Sequence, residues 1–175
     1  MKLSLVVPEL EDLWFKKKIK EDPQTMDYNA GYDLNIQGYN REDGTIQTDI
    51  EQLKNVWFKR WINNKPTNFY YYIKFNDKFI GEIYAKLDNE RSSYEIGIVI
   101  KGEYRGRGFS TPAVNLLCEE LKRYGVKYLY HELPISRKAA IKADINNGFI
   151  IVKENIPGMK KFGKIEKLIL LEKTL

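Results

Sequence analysis

The sequence predicts a protein of the α/β class with α+β character: one central, mixed and twisted sheet of about seven strands, flanked by helices. Short runs of β-branched and aromatic residues alternate with segments in which apolar residues recur every three or four positions. The chain has 175 residues, of which 43% are hydrophobic, so it can bury a real core. No linker, low-complexity block or fixed repeat divides it. We therefore expect residues 1–175 to form a single domain.

The first half of the chain predicts the order β-α-α-β-β. Residues 3–7 fit a strand, and apolar residues at helical spacing follow it up to about residue 20. Residues 22–48 hold three glycines and little periodicity, so this long segment is expected to contain a short helix or to cover a site. Asp49 is a suitable N-cap for a helix through about residue 63. The stretch NFYYYIKFNDKFIGEIYAKL then predicts a β-hairpin with a two-residue turn.

The second half predicts the order β-α-β-α-β-β. A strand over residues 94–100 comes before a helix whose apolar face includes Cys118, the only cysteine. Glycines end this helix and the next one, and a strand over residues 128–133 lies between the two helices. The last two strands are predicted at residues 149–152 and 168–171. The stretch NIPGMKKFGK, residues 155–164, is expected to be a loop that serves a partner or closes over substrate, with a merely mobile hairpin as the alternative.

The composition favours a cytoplasmic protein without a membrane span. No window reaches the roughly 20 apolar residues that a spanning helix requires, and the N-terminal apolar run is followed at once by acidic residues, unlike a secretory signal. A single cysteine excludes an intramolecular disulfide and a multi-thiolate site, and we expect no metal. Residues 1–55 carry 7 Lys/Arg and 11 Asp/Glu, whereas the remainder carries 22 and 13. This asymmetry indicates either separate anion and cation sites or merely solvated faces.

The stretch EYRGRGFS, residues 103–110, joins a predicted strand to the following helix. The first amides of a helix lack intrahelical partners and carry the positive end of its dipole, so an anion is stabilised there. Gly106 and Gly108 let the backbone approach that anion without an intervening Cβ, and Arg105 and Arg107 can add charge-assisted hydrogen bonds. The pattern predicts a pyrophosphate site, with an ordinary tight turn as the alternative. Neither a P-loop nor a G-x-G-x-x-G motif is present.

The motif RGRGFS matches the [QR]-x-x-G-x-[GA] signature of the GCN5-related N-acetyltransferases, with Arg105, Gly108 and Ser110 at its defined positions. The wider stretch YEIGIVI…EYRGRGFSTPAVNLLCEEL resembles strand 4, the pyrophosphate loop and helix 3 of that family. The stretch ISRKAAIKADINNGFI is similar to its later helix, which ends in Gly-Phe. Together with the N-terminal elements, the resemblance covers nearly the whole chain. It implies an N-acetyltransferase in which an amine attacks the thioester of acetyl-CoA directly.

The resemblance also implies how acetyl-CoA is held. Strand 4 is expected to run along the pantetheine arm through Ile98, Val99 and Ile100, and to splay from strand 5 so that the thioester can enter. The loop is expected to hold the pyrophosphate through Arg105, Gly106, Arg107, Gly108, Phe109 and Ser110. Two positions depart from the family. Arg137 stands where the family has a pantetheine-binding Asn but can still contact the cofactor, and Asp144 stands where a Tyr often protonates the departing thiolate.

The catalytic candidates are Glu95, His131 and Asp144. An alkyl ammonium has a pKa of about 10.4, so a base or a water chain should remove a proton before the amine attacks. Glu95 on strand 4, or Glu82 on the neighbouring strand, can be this base, and either can instead be a salt-bridged surface carboxylate. His131 is the only histidine, and an imidazole suits proton transfer, although a lone histidine is usually structural. An ordinary carboxylic acid is ionised at neutral pH, so Asp144 needs a strong perturbation to act as an acid.

Other groups near the expected site have simpler interpretations. The oxyanion donor is expected to be a strand 4 amide near Val99. Tyr128 and Tyr130 are expected to pack, with an acid role as the alternative, and Cys118 is expected in the core rather than as a nucleophile. Tyrosines and aspartates within residues 27–43 border the acceptor site of the family and suit a cationic amine.

The acceptor and the partners stay open at this stage. A small amine, an antibiotic or a protein N-terminal amine would each fit the family, and a homodimer is an option because dimers are frequent in it. A non-catalytic acyl-CoA sensor is an alternative, since the usual acid is missing. A basic nucleic-acid-binding module is a weaker alternative, suggested by the lysines at 16–18 and by the aromatic run FYYYIKF.

Overall fold

The computed structural model describes residues 3–175 as a seven-stranded sheet with helices on both faces. The strands are β1 (Leu3–Val6), β2 (Asn68–Phe75), β3 (Lys78–Asp88), β4 (Ser93–Ile100), β5 (Tyr128–Pro134), β6 (Ile150–Lys161) and β7 (Lys164–Thr174). Their order across the sheet is β1-β2-β3-β4-β5-β7-β6. Every neighbouring pair is antiparallel except β4 and β5, which are parallel. The predicted fold class, with a mixed central sheet, is confirmed.

The helices follow the predicted order. They are α1 (Leu13–Glu21), α2 (Pro23–Met26), α3 (residues 50–61), α4 (Ser110–Arg123) and α5 (Lys138–Asn146). The centre of α3, Leu53–Phe58, is a π-helix between short α-helical ends. α2 is the short helix expected within residues 22–48. No helix of residues 3–175 is long and apolar enough to cross a membrane.

Alternation along β2 divides the core into two layers. Phe69, Tyr71 and Ile73 face the layer that contains α4, whereas Tyr70 and Tyr72 face the layer that contains α1 and α3. All five side chains are at most 5% exposed. The aromatic run is therefore core on both faces, which removes the base-stacking surface that a nucleic-acid-binding module would need. The helical face that carries Cys118 is buried, as its spacing predicted.

The C-terminal strands are much longer than the sequence predicts. β6 and β7 form a hairpin that absorbs the predicted loop at residues 155–164, and the chain turns at Phe162 and Gly163. β6 is an edge strand, its register with β7 shifts three times, and most of its side chains are exposed. A bulged edge strand tolerates a proline such as Pro157 and has no continuous buried face. Apolar alternation therefore could not reveal it.

Candidate active site

β4 and β5 pair only near their N-terminal ends. Tyr94 opposes Leu129 and Glu95 opposes Tyr130, after which pairing stops although both strands continue. A wedge therefore opens between residues 96–100 and the C-terminal half of β5, and we call this opening the cleft. The splay of these two strands is the arrangement that the family resemblance implied.

The backbone groups of β4 that face the cleft are those that do not form hydrogen bonds with β3 on the other side. Residues opposite each other in an antiparallel ladder alternate between exchanging two hydrogen bonds and none. The Lys101 amide donates to the Ile80 carbonyl, so two residues earlier the Val99 backbone is also directed at β3. Ile98 and Ile100 therefore turn their amides and carbonyls toward the cleft. The Val99 amide is used within the sheet, and the expected contact between Val99 and the pantetheine arm stays a prediction.

β5 forms the opposite edge of the cleft, and its hydrogen bonds with β7 show which of its backbone groups face the cleft. The Ile135 amide donates to the Lys167 carbonyl, so His131 directs its backbone at β7 and Glu132 directs its backbone at the cleft. Both edges thus turn backbone amides and carbonyls to the same space, and among residues 3–175 the Ile100 carbonyl is the one of these that accepts a side-chain hydrogen bond, from Arg105. A ligand with its own amide groups can pair with them as an added strand would.

The loop at residues 105–110 has the geometry of an anion site. Gly106 and Gly108 adopt φ angles of 73° and 79°, and a Cβ built on either would meet nothing within 4 Å. Among residues 3–175, no acceptor bonds the amides of residues 106–109, and no side chain caps α4. These free amides and the start of α4 can bind a pyrophosphate. Ser110 is the first residue of α4, and the ring of Phe109 packs 4.7 Å from Phe75.

The two arginines of the loop have different surroundings. Arg107 is exposed, with its guanidinium 5.5 Å from the Tyr104 ring, and it is free to meet an anion. Arg105 instead donates to the Ile100 carbonyl (3.2 Å), to Asp27 (2.7 Å) and to the Thr25 carbonyl. Its amide donates to Gly102. Its guanidinium thus bonds three protein acceptors in this structure, and a cofactor contact from Arg105 stays a prediction.

Arg137 lies at the N-terminus of α5, at the far side of the cleft from this loop. Its guanidinium is 4.5 Å from the Tyr28 ring, and that of Arg105 is 6.0 Å from the same ring. Burial raises the pKa of Tyr28 to about 12, and the charge of Glu82 adds to the rise, whereas the two arginines oppose it. Tyr28 thus bridges the two sides of the cleft. Arg137 contacts the Tyr28 ring in the structure. A cofactor contact from Arg137 stays a prediction.

Glu95 lies at the apex of the cleft, where β4 and β5 part. Because Ile96 faces the α4 layer, Glu95 faces the opposite side of the sheet, together with Tyr84 and Tyr130. The carboxylate is half-buried, and among residues 3–175 it has no ion pair or hydrogen bond. Burial, followed by the charge of Glu95, raises the pKa of Tyr84 above its usual range. An available carboxylate among aromatic rings is suited to accept a proton from an ammonium ion.

Glu82, the other candidate base, already forms an ion pair with Lys16. Both of its carboxylate oxygens lie within 2.8 Å of the Lys16 ammonium, and the Tyr70 hydroxyl donates to one of them. The Lys16 ammonium also lies 5.1 Å from the Trp57 ring. The Lys16 and Glu82 side chains are each only 8% exposed. This buried ion pair matches the salt-bridged interpretation of Glu82, and it leaves Glu95 as the better placed base.

His131 and Asp144 form a pair on the other face of the sheet. His131 alternates with Tyr130 and so shares the α4 and α5 side of β5 with Leu133. Its Nδ1 lies 2.8 Å from Asp144 Oδ2, and the Asp144 side chain is 3% exposed. A carboxylate in this position accepts a hydrogen bond from Nδ1–H and leaves Nε2 for proton exchange with a ligand. The two residues that the sequence offered as separate candidates are thus one unit.

The two tyrosines of β5 differ in their surroundings. The Tyr130 hydroxyl donates to Asp88 (2.8 Å), and the Arg91 guanidinium stacks 4.6 Å from its ring. Tyr128 is 56% exposed and lies on the strand before pairing with β4 begins. Packing is therefore the role that the structure supports for Tyr130. Among residues 3–175, no group of three or more His, Cys, Asp or Glu side chains is arranged to hold a metal ion.

Comparison with known proteins decides the family. Residues 32–143 match the acetyltransferase (GNAT) family. The chain belongs to this family. The match covers well over half of the chain, and it confirms the predicted enzyme class and function: an N-acetyltransferase that takes its acetyl group from acetyl-CoA.

Relatives of this acetyltransferase agree with the assignment. It is 26% identical over 108 residues to N-alpha-acetyltransferase 30 of Schizosaccharomyces pombe. The aligned segment covers 59% of this chain and 72% of that protein. Its fold is similar to that of spermidine N-acetyltransferase from Vibrio cholerae in complex with CoA and spermine, with a TM-score of 0.76 at 15% identity, covering 98% and 95% of the two chains. Salmonella typhimurium yncA with acetyl-CoA gives 0.74 at 14% identity, covering 98% and 93%.

One residue of the acetyltransferase site was missed by the sequence analysis. Tyr84 on β3 lies across Gly97 of β4, and a Cβ on Gly97 would come within 2.3 Å of the Tyr84 ring. Trp61 packs edge-to-face against this ring, with the two ring centroids 5.1 Å apart. A glycine in the middle of an otherwise β-branched strand was the available signal, because it often marks a close approach by another group.

Proposed function

We propose that this acetyltransferase transfers the acetyl group of acetyl-CoA to a slender cationic amine, by direct attack of the amine on the thioester in the cleft. Residues 1–175 form its single domain in this proposal. The observation that carries it is Glu95, a half-buried carboxylate at the apex of the cleft that has no ion pair or hydrogen bond among residues 3–175. An amine that enters beside the aromatic rings meets this carboxylate.

The cofactor is held mainly by backbone in this proposal. Pantetheine contains two amide groups, which suit the backbone amides and carbonyls of Ile98 and Glu132 and the amide of Ile100 along the cleft edges. The pyrophosphate lies on the free amides of residues 106–109 and at the start of α4, with Arg107 as an additional donor. An amide at the cleft edge also stabilises the developing oxyanion.

Proton transfer is divided between the two faces of the sheet. Glu95 accepts a proton from the ammonium, directly or through a water molecule, so that a neutral amine attacks. His131 donates a proton to the departing thiolate, and Asp144 orients the imidazole and stabilises its charged form. Asp144 itself is a positioning residue rather than the acid. This pair supplies the proton donor whose apparent loss had suggested a non-catalytic sensor.

The acceptor side of the cleft favours a slender amine. The tip of the β6–β7 hairpin is joined to the wall at residues 28–32, because Phe162 donates to the Gly31 carbonyl and Lys161 donates to the Tyr28 carbonyl. The Tyr32 hydroxyl donates to Glu166 on β7. These contacts narrow the entrance and suit an aliphatic polyamine, the kind of ligand named for the Vibrio cholerae relative. A flexible protein N terminus, suggested by the Schizosaccharomyces pombe relative, is the second candidate.

The test begins with isothermal titration of acetyl-CoA into the purified protein and into Gly108→Trp and Gly125→Trp variants. Both glycines have positive φ and open space around a Cβ, so the strain of substitution is matched. Binding by the wild type and Gly125→Trp, and its loss in Gly108→Trp, supports the cofactor site. A panel of polyamines and short peptides is then followed by release of free thiol. Absence of binding by the wild type would overturn the proposed site. A cytoplasmic location and a homodimer stay predictions of the sequence.

A further inference from the structure

One guanidinium connects the pyrophosphate loop to the acceptor side of the cleft. Arg105 donates through Nη1 to Asp27 at 2.7 Å, through Nη2 to the Thr25 carbonyl, and through Nε to the Ile100 carbonyl at 3.2 Å. Two of these acceptors belong to the segment that follows α1 in the chain and lies against the other face of the sheet. The third is on β4 itself. The motif residue expected to bind the cofactor is thus bonded to the wall of the acceptor side.

The segment that Arg105 holds leads directly to Tyr28. Thr25 is fully buried, and its hydroxyl accepts a bond from the Gly102 amide at 2.9 Å. Gly102 has no room for a side chain, since a Cβ there would lie 2.4 Å from Gln24. Three residues after Thr25, the Tyr28 ring lies between the guanidinium groups of Arg105 and Arg137. The position of Tyr28 therefore depends on contacts made by the pyrophosphate side.

We propose that Arg105 is a positioning residue for the amine acceptor and not a ligand of acetyl-CoA. This inference rests on the proposed placement of the acceptor beside Tyr28 and Glu95. To reach a phosphate, the guanidinium would have to leave three acceptors, among them the carbonyl of a buried residue and the carboxylate of Asp27. Arg107, two residues later, is exposed and makes no such bonds among the described residues. The two arginines of the motif thus serve the two substrates separately.

The test compares Arg105→Gln, Arg107→Gln and Arg123→Gln, the last an exposed arginine on α4 that serves as a matched control. A charge-assisted hydrogen bond lost from a ligand weakens its binding about tenfold or more. We expect Arg105→Gln to raise the amine KM about tenfold, with kcat and the acetyl-CoA Kd nearly unchanged. Arg107→Gln should weaken acetyl-CoA binding instead. Arg123→Gln should change neither constant.

The Asp27 carboxylate, which accepts a hydrogen bond from Arg105, provides an internal check. Asp27→Asn should raise the amine KM as Arg105→Gln does, and the double variant should be no worse than either single variant, because both changes remove one contact. Arg105→Lys should restore part of the loss, since one ammonium cannot reach all three acceptors. The proposal is overturned if Arg105→Gln weakens acetyl-CoA binding as much as Arg107→Gln does, or if the amine KM stays at the wild-type value.

A second readout separates this inference from the proposed function. Hydrogen exchange of residues 25–31 should be faster in Arg105→Gln than in the wild type and in Arg123→Gln. Unchanged exchange would overturn the positioning role whether or not any amine is acetylated. Failure of the proposed function would appear differently, as absence of thiol release by the wild type with every amine tested.

Discussion

Glu95 and His131 lie on opposite faces of the sheet, on neighbouring strands, at the point where these strands stop pairing. Glu95 is the last residue of β4 that pairs with β5, and His131 follows the last residue of β5 that pairs with β4. Their side chains diverge because the residues next to each of them alternate between the two core layers. The thioester would lie between them. A proton can thus be removed from the amine on one face and delivered to the thiolate on the other.

Replacing Glu95 with Gln should lower kcat/KM for the amine by about 10²-fold or more, the usual range for loss of a general base. The acetyl-CoA Kd should not change, because the carboxylate is not among the groups proposed to hold the cofactor. The defect should shrink as pH approaches the pKa of the amine, about 10.4 for an alkyl ammonium, because neutral amine then forms without help. Steady-state kinetics across pH measure this. Glu90→Gln, at an exposed position, is the control, and an equal defect at every pH would contradict the base assignment.

Replacing His131 with Gln should lower kcat by about 10²-fold, because the thiolate then departs without a positioned donor. Asp144→Asn should lower kcat as well, since the amide does not stabilise the charged imidazole. Both variants should recover with an acetyl thioester whose thiol is more acidic than that of CoA, because its thiolate needs no proton to depart. Tyr128→Phe, on the same strand and exposed, is the control. Equal losses with both thioesters would argue for a purely structural role.

The parts of the fold that were predictable from sequence are those with strong local signals. The strands β2, β3 and β4 are runs of β-branched and aromatic residues, the turn between β2 and β3 is Asn76-Asp77, and α4 has a buried face at helical spacing that stops before Gly125. The loop at residues 105–110 was predictable for the same reason. Its free amides result from a local motif, and positive φ angles at Gly106 and Gly108 require glycine.

The parts that were not predictable depend on contacts between distant segments. Sequence spacing cannot show that the Arg105 guanidinium meets Asp27, 78 positions away in the chain. Nor can it show that Val99 directs its amide at β3, because the phase of a ladder depends on the partner strand. Tyr84 was missed because nothing in its own neighbourhood indicates that its ring crosses Gly97. Tertiary register, rather than local preference, decides each of these.

The buried pair of Lys16 and Glu82 should prove structural rather than catalytic. Lys16→Met leaves the Glu82 carboxylate buried without a counter-charge and should lower the free energy of unfolding by about 3–5 kcal/mol. The double variant Lys16→Met/Glu82→Gln should recover most of this loss, and it should retain kcat within a few-fold because Glu95 is intact. Urea unfolding and thiol-release assays measure the two effects. Lys18→Met, at an exposed position on the same helix, is the control. A large loss of kcat in a stable double variant would return Glu82 to the role of base.

The ion pair of Lys65 and Glu120 should make part of the stability sensitive to acid. The Lys65 ammonium donates to Glu120 at 2.8 Å, and this hydrogen bond lowers the pKa of Glu120 below its usual range. Because the folded-state pKa is below the unfolded-state value of about 4.3, the stabilisation is fully present above that pH and is lost as pH falls through the folded-state pKa. Glu120 is 23% exposed, so Glu120→Gln should lower the free energy of unfolding by only about 1 kcal/mol at pH 7. The difference from the wild type should vanish in strong acid, where the protonated Glu120 of the wild type is as neutral as the Gln of the variant. Urea unfolding at several pH values measures it, with Glu119→Gln on the exposed face of α4 as the control, and a difference that persists unchanged in acid would contradict the assignment.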